Sequence, residues 1–303
     1  MTAATAAHPA ARAAARLPRR PNYRRRRLSA KAGSAALGIL LLIWWLLPVY
    51  NMVLIAIDPT GSTEFAGYIW PPAPTLDAFD KVLFQGYWYL RDFWRQFGNS
   101  LYIGAATTVL TVVISSLAAF ALGRMHLSRG WIVSNAALLI YAVPAYFLVI
   151  PYFRLMHTYG LMDNLWAIVA IDVTFAAPYA LLILQWYGRL IPFELDEAAR
   201  IDGATPLQVY LQIYVPLMAP ALAVVGTYAL LVSWNEYLYQ FLLLNSPGKK
   251  TVAIAIAEFF ENDDSPWNLM VAAGLIYSLP PIVAFFALRR YIASGLTMGA
   301  VKG

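Results

Sequence analysis

Two of the sixteen carboxylate side chains in this 303-residue sequence, Asp172 and Glu236, fall within long apolar stretches. An unpaired carboxylate in hydrocarbon costs at least about 2.5–3.5 kcal/mol on insertion scales, so each marks a candidate site for a solute or a proton. Around the second the chain reads Ser233-Trp234-Asn235-Glu236-Tyr237. Amide and carboxylate acceptors fix hydroxyl groups while flat rings cover C–H faces, the mixture that a polyhydroxylated solute such as a sugar requires. Interhelical hydrogen bonds that hold a bundle together use the same groups, and Asp172 leans toward that role. Tyr141, Tyr146 and Tyr179 fit packing or an interfacial belt, with Tyr141 kept as a candidate for the solute pathway.

Other chemistries find no support. The absence of cysteine removes disulfides, thiolate metal sites and cysteine nucleophiles. His8, His126 and His157 are far apart and form no ligand-spaced pair, so no metal site is expected. A phosphate-cradling loop needs a Gly-rich turn followed by Gly-Lys and Ser or Thr. The nearest string, Gly248-Lys249-Lys250-Thr251, carries an extra Lys and lacks the upstream Gly. No nucleophile, base and metal ligands converge, so no catalytic residue is assigned, and any ATP-driven step needs another subunit.

The elements that must position these groups are membrane helices. Hydrophobic residues make up 60% of the chain and charged residues 13%, the composition of a polytopic membrane protein. Crossing about 30 Å of hydrocarbon takes roughly 20 helical residues. Six stretches are long enough: 34–57, 98–122, 131–156, 164–187, 215–244 and 269–291. The fold class expected is therefore all-α, with six transmembrane helices. Residues 1–33, rich in Ala, Arg and Pro, predict a mobile basic tail, and 34–303 the membrane domain. The first apolar stretch reads as an uncleaved span.

The net charge of +6 is concentrated in that tail, which holds nine of the 22 basic residues. This distribution points to anionic headgroups rather than to nucleic acid. With the N-terminus inside, sixteen basic residues fall on the cytoplasmic side and six outside, which places both termini in the cytoplasm. The outer connections 58–97 and 245–268 hold prolines, aromatic residues and carboxylates. Solvated caps over the helix ends are the default expectation for them, and docking to an outside protein is the alternative.

One cytoplasmic segment, 193–220, is polar and well punctuated. Glu194, Asp196 and Glu197 crowd the first turn after Pro192, where carboxylates favour a helix N-terminus, and Gly203 can end that helix at positive φ. Thr205-Pro206 reads as an N-cap and first helical position, so a second short helix is expected to run to about Ile213 and to stop at Pro216. The segment is thus two short helices, within about 193–213, joined at a glycine elbow against the membrane surface.

Glu197-Ala198-Ala199, three residues, Gly203, nine residues, Ile213, one residue, Val215 and Pro216 resemble the EAA signature of bacterial ABC importer permeases of the carbohydrate uptake type. Asp202-Gly203-Ala204, Tyr210 and Pro220 fit the same pattern. Val215 stands where the signature has Leu, and Tyr210 where Phe is commoner; both keep an apolar surface. Trp234-Asn235-Glu236-Tyr237 and Phe97-Gly98-Asn99-Ser100-Leu101 also fit. The chain end, Gly295 to Gly303, resembles that of the second permease of such systems, the MalG type.

The resemblance covers about 34–303 and implies several roles. Glu197 meets a basic residue in an ATPase groove, Ala198 and Ala199 allow close approach, and Gly203 gives the bend. Asp202, Ala204, Ile213 and Pro216 complete the coupling surface, and the 292–303 tail, through Gly295, Thr297, Gly299 and Lys302, reaches the ATPases. The implied partners are a related permease in a heterodimer, two ATP-binding subunits that hold ATP and Mg, an extracytoplasmic solute-binding protein, and membrane lipid. The implied location is the bacterial inner membrane. The alternative is a proton- or ion-coupled secondary carrier using Asp172 and Glu236.

Overall fold

The structure, a computed structural model, describes residues 23–60, 69–125, 127, 129–261 and 265–298. Among them every regular element is helical. The chain divides into two compact units, Met1–Asn51 and Met52–Gly303.

Helix α1 (Tyr23–Ile57) accounts for the described part of the first unit and its last turns belong to the second. It begins inside the stretch expected to form a loose tail. Arg, Ala, Leu and Lys are good helix formers, so a helix nucleated by the apolar run propagates outward into the basic segment. Residues 1–22, with His8, lie outside the described residues.

In the second unit, α2 (Asp77–Asp80) and a π turn precede α3 (Phe93–Arg124). The third span is not one rod. α4 (Gly130–Ala137) and α5 (Val149–Thr158) flank two 3-10 turns, and the two halves bend by 92°. Pro144 is the cause: it lacks an N–H, and it drives Val143 to an extended conformation at φ −101° and ψ 122°. The fourth span is α6 (Leu165–Gly188), started by the Asn164 side chain, which accepts from the Trp166 N–H at 3.0 Å.

The pair of short helices is α7 (Glu194–Ile201) and α8 (Pro206–Val209). Pro216 does not end the second of these. The chain passes through a π turn, Tyr210–Tyr214, straight into α9 (Val215–Trp234), where Pro216 sits in the first turn. An α-helical Pro216 would clash with the carbonyl four residues earlier, and the wider π register relieves this. The pair Pro206–Leu217 and Ala219–Trp234 bends by 80°, just before Pro220. The fifth stretch, expected over 215–244, breaks at residues 235–237 and resumes as α10 (Leu238–Leu243).

After α11 (Val252–Glu258), α12 (Trp267–Tyr277) and α13 (Leu279–Met298) complete the chain. Pro280 and Pro281 fall in the first turn of α13, where their missing N–H groups cost nothing. Among the described residues four helices are long and apolar enough to cross a membrane, or up to six when each bent pair is one span.

α3, α6 and α9 pack as the centre, with α13 against α9. Thr107, Thr111 and Ser115 form a buried seam of small residues along α3, and Ser115 Oγ donates to the Ala177 carbonyl at 3.1 Å. Small side chains let backbones approach where lipid offers no hydrophobic drive. Gly104 is such a point: a Cβ there would lie 3.1 Å from Leu230 and 3.3 Å from Trp234.

The connections expected to be outer are more than solvated caps. Ala78, Val82, Leu90, Phe93, Val252, Ala255 and Phe259 form one buried cluster, and the Tyr87 ring stacks on Phe259 at 5.6 Å. Asn99 on α3 pins the later connection by donating to the carbonyls of Gly248 and Lys250 at 3.0 and 2.9 Å.

Candidate functional site

The α7–α8 pair is built by local rules. Glu194, Asp196 and Glu197 occupy the first turn of α7, opposite the positive end of its dipole. Gly203 has φ +86°; its N–H donates to the Arg200 carbonyl at 3.0 Å, and that of Ala204 to Ala199 at 2.9 Å, closing the helix. Thr205 makes the expected cap, reinforced as a box: its Oγ accepts from the Gln208 N–H at 3.4 Å, and Gln208 Oε1 accepts from the Thr205 N–H at 2.7 Å. Thr205→Ala should loosen α8 by about 1 kcal/mol, read as a comparable rise in the opening free energy lost at amides 207–209 in hydrogen exchange.

Burial sorts the motif into two faces. Ala199, Ala204 and Ile213 pack against the cluster formed by Phe120, Leu184, Val209, Tyr210, Tyr214 and Met218. Ser116 and Tyr210 share a hydrogen bond at 2.7 Å, and the Phe120 ring meets Tyr210 at 5.3 Å. Glu197, Ala198, Asp202, Gly203 and Pro216 are exposed. On the same segment Leu195, Leu207, Leu211 and Ile201 are also exposed, the last at 86%, so the segment presents outward apolar side chains as well as a carboxylate. Such a surface is suited to a protein partner.

Sequence reasoning counted Arg124 only as a cytoplasmic charge and Asp196 only as a first-turn carboxylate. They meet: Arg124 Nη1 lies 3.3 Å from Asp196 Oδ2, with both residues buried. Arg124 Nη2 donates to the carbonyls of Gly188 and Ile191 at 2.9 and 2.8 Å, and the Phe193 ring covers the guanidinium at 4.4 Å. Removing one partner from a buried ion pair costs about 3–5 kcal/mol, because the other charge stays buried. The usable signal was an Arg in the last turn of a span, followed later by an acidic helix start. Neither names its partner.

The intramembrane candidates only partly converge. Asp172 is 1% exposed and accepts from Ser233 Oγ at 2.6 Å and Thr107 Oγ1 at 3.5 Å, so it ties α6 to α9 and α3. Glu236 sits in the break after α9, and its carboxylate accepts from the N–H groups of Tyr239 at 2.7 Å and Gln240 at 3.1 Å. It therefore restarts the chain as α10, the reason that stretch is not continuous. Trp234 is buried and stacked on Tyr277 at 4.7 Å, with its indole N–H donating to the Tyr277 carbonyl at 3.1 Å.

Asn235 and Tyr237 are exposed; Asn235 donates to the Leu231 carbonyl at 2.8 Å, and the Tyr237 ring lies 5.5 Å from Phe241. Tyr141 stands in the third-span break with its hydroxyl donating to the Phe175 carbonyl. The Ser233–Tyr237 cluster is thus divided between a bundle-facing half and an exposed half. Gly295 and Thr297 fall within α13, while Gly299 and Lys302 lie outside the described residues. Among the described residues no group of three or more His, Asp or Glu converges as a metal site.

At the other end of α6, Asp163 holds the connection before α6 to the one after α10. At φ +55° it accepts from the N–H groups of Asn245 at 3.0 Å and Ser246 at 2.9 Å, and from the Ser246 hydroxyl. That hydroxyl, then the two amides and Lys249, favour the carboxylate and hold its pKa below the usual value, although burial opposes them. A depressed folded pKa means the staple is fully present above the unfolded carboxylate value of about 4 and is lost as pH falls through the lower folded one. Cleavage of 245–250 by an acid protease should rise only below about pH 4, and Asp163→Asn should remove that dependence.

The chain is thus a helical bundle with up to six candidate spans among the described residues and two short helices between α6 and α9. Residues 111–298 match the binding-protein-dependent transport system inner membrane component, and the chain belongs to that family. It is a multi-pass inner membrane protein, a transport subunit and not an enzyme. The chain is 34% identical over 271 residues to the trehalose transport system permease protein SugB of Mycobacterium tuberculosis (strain CDC 1551 / Oshkosh), covering 89% of this chain and 97% of that one.

It is also 34% identical over 230 residues to the maltodextrin transport system permease protein MdxG of Bacillus subtilis (strain 168), covering 76% and 81%. Of the solved structures, a bacterial ABC transporter involved in import of the acidic polysaccharide alginate shares the fold, with TM-score 0.73 and 21% identity over 91% of this chain and 100% of that chain. The alternative of a secondary carrier finds no support in these relatives.

Proposed function

We propose that this chain is the permease subunit of an ATP-binding-cassette importer that moves a sugar, or a related polyol or glycoside, across the inner membrane. The observation that carries the reading is the exposed face of α7 and α8, which presents Glu197 and Ala198 as well as outward apolar side chains on a bundle of the binding-protein-dependent family. Two ATP-binding subunits, which hold ATP and Mg, dock there. Glu197 makes a charge-assisted bond that fixes orientation, and the small residues permit close approach. A second, related permease completes a heterodimer, and an extracytoplasmic binding protein delivers solute from above. The trehalose and maltodextrin transport of the named relatives supports the carbohydrate class.

The mechanism is alternating access. Closure of the ATPases pushes α7 and α8 as levers, the bundles rock outward-open, solute is released between them, and hydrolysis resets the assembly. Both termini and the lever pair lie in the cytoplasm, and the C-terminal residues from Gly295, including Thr297, Gly299 and Lys302, reach toward the ATPases. Asn235 and Tyr237, being exposed, are the better placed of the pathway candidates, with Tyr141; Asp172, Trp234 and Glu236 serve more through the framework. The test is reconstitution with the companion subunits: uptake should require internal ATP and the loaded binding protein, and should survive an uncoupler. Uptake that persists without ATP, or a native complex without a nucleotide-hydrolysing subunit, refutes the proposal.

A further inference from the structure

The lever pair is joined covalently to two spans only. α7 follows α6 through residues 189–193, and α8 runs through the π turn into α9. α3 has no such link, although it packs between both spans. Its last residue is Arg124, and Arg124 makes every contact needed to replace one: two carbonyls at the foot of α6 and the carboxylate that opens α7. The guanidinium is a planar fork: Nη2 is fixed by its hydrogen bonds to the carbonyls of Gly188 and Ile191, which holds Nη1 facing the Asp196 carboxylate as an ion pair at 3.3 Å. The Phe193 ring lies over it at 4.4 Å. An exposed Lys in this place would let α7 turn without moving α3; a buried three-way clamp does not.

We infer that Arg124 and Asp196 are positioning residues for transport, forming the joint through which movement of α7 is passed to α3 and to the foot of α6. Glu197 and Asp196 are neighbours with opposite duties: one faces outward to the docking partner, the other inward to the bundle. The inference rests on the docking role proposed for α7.

The experiment uses the full complex in vesicles and reads solute taken up per ATP hydrolysed, with the amount of assembled complex measured beside it. Asp196→Asn and Arg124→Met should each keep ATP hydrolysis while lowering uptake per ATP at least tenfold. The apolar pair Arg124→Met with Asp196→Leu removes both buried charges, so it should restore assembly but not uptake per ATP. If that double variant returns uptake per ATP to within twofold of the wild type, the pair only balances buried charge and the joint is refuted. Unchanged uptake per ATP in the assembled single variants refutes it equally.

Arg124→Lys keeps the charge and loses the fork, and it carries the test where the others do not assemble. A fall of at least threefold in uptake per ATP supports the joint, and a wild-type ratio overturns it. Glu197→Lys separates the two readings: if it leaves docking and uptake intact, the docking role fails; if it abolishes them while the Arg124 variants stay coupled, only the joint fails.

Discussion

Glu197→Lys is expected to strip the ATP-binding subunits from the complex and to reduce ATP-driven uptake by about 30-fold or more. Truncating or reversing one member of a desolvated charge pair costs about 2–5 kcal/mol or above, with each 1.4 kcal/mol worth tenfold in affinity. The carboxylate is exposed on α7, so the substitution leaves the bundle itself nearly untouched, as surface changes usually stay within about 0.5 kcal/mol. Thermal unfolding of the isolated chain should therefore match the wild type while co-purification of the ATPase fails. Glu197→Gln keeps an acceptor without the charge and should fall between the two. A lysine variant that retains stoichiometric ATPase and wild-type uptake would overturn the docking role.

The sequence made the bundle legible because hydrocarbon thickness sets a length that composition alone can satisfy. It was equally clear about α7 and α8, where Gly203, Thr205 and Pro206 each act within a few residues of themselves. Failures came where proline chemistry had to be weighed against a wider context. Pro144 folds a span that hydropathy reads as continuous, and Pro216, expected to stop the short helix before it, sits in the first turn of α9 on a helical run that continues through a π turn. Glu236 was weighed as a solute contact because its neighbours are aromatic, but its nearest donors are backbone amides of the next helix.

The Arg124–Asp196 pair was illegible for a different reason. The two residues are far apart in the chain, and each satisfies a sufficient local rule: a basic residue at a cytoplasmic span end and an acidic residue at a helix start. Only packing shows that the rules are met by the same contact. The small-residue seam of α3 is the converse case, since Thr107, Thr111 and Ser115 follow a four-residue spacing that marks one helix face without saying which helix it meets.

Gly203→Pro should be the most damaging single change in the elbow, and the order of substitutions there tests why. No atom lies within 4 Å of a Cβ built on Gly203, so space is not the constraint; its φ of +86° is. Alanine pays about 1–2 kcal/mol for left-handed backbone, and asparagine, which tolerates that region better, pays less. Proline is held near −65° and cannot reach the required angle. It also deletes the N–H that bonds Arg200 and disfavours the φ −74°, ψ 0° backbone of Asp202, for a cost of about 3 kcal/mol or more. Ala199 and Asp196 seat α7 on the bundle, as Ala204 and Ile213 seat α8, so a changed elbow angle means that the two helices cannot both keep their seats. Uptake at equal amounts of membrane protein should therefore fall in the order Gly, Asn, Ala, Pro, with proline near background. Proline and alanine variants of equal activity would mean that the elbow angle does not matter for transport.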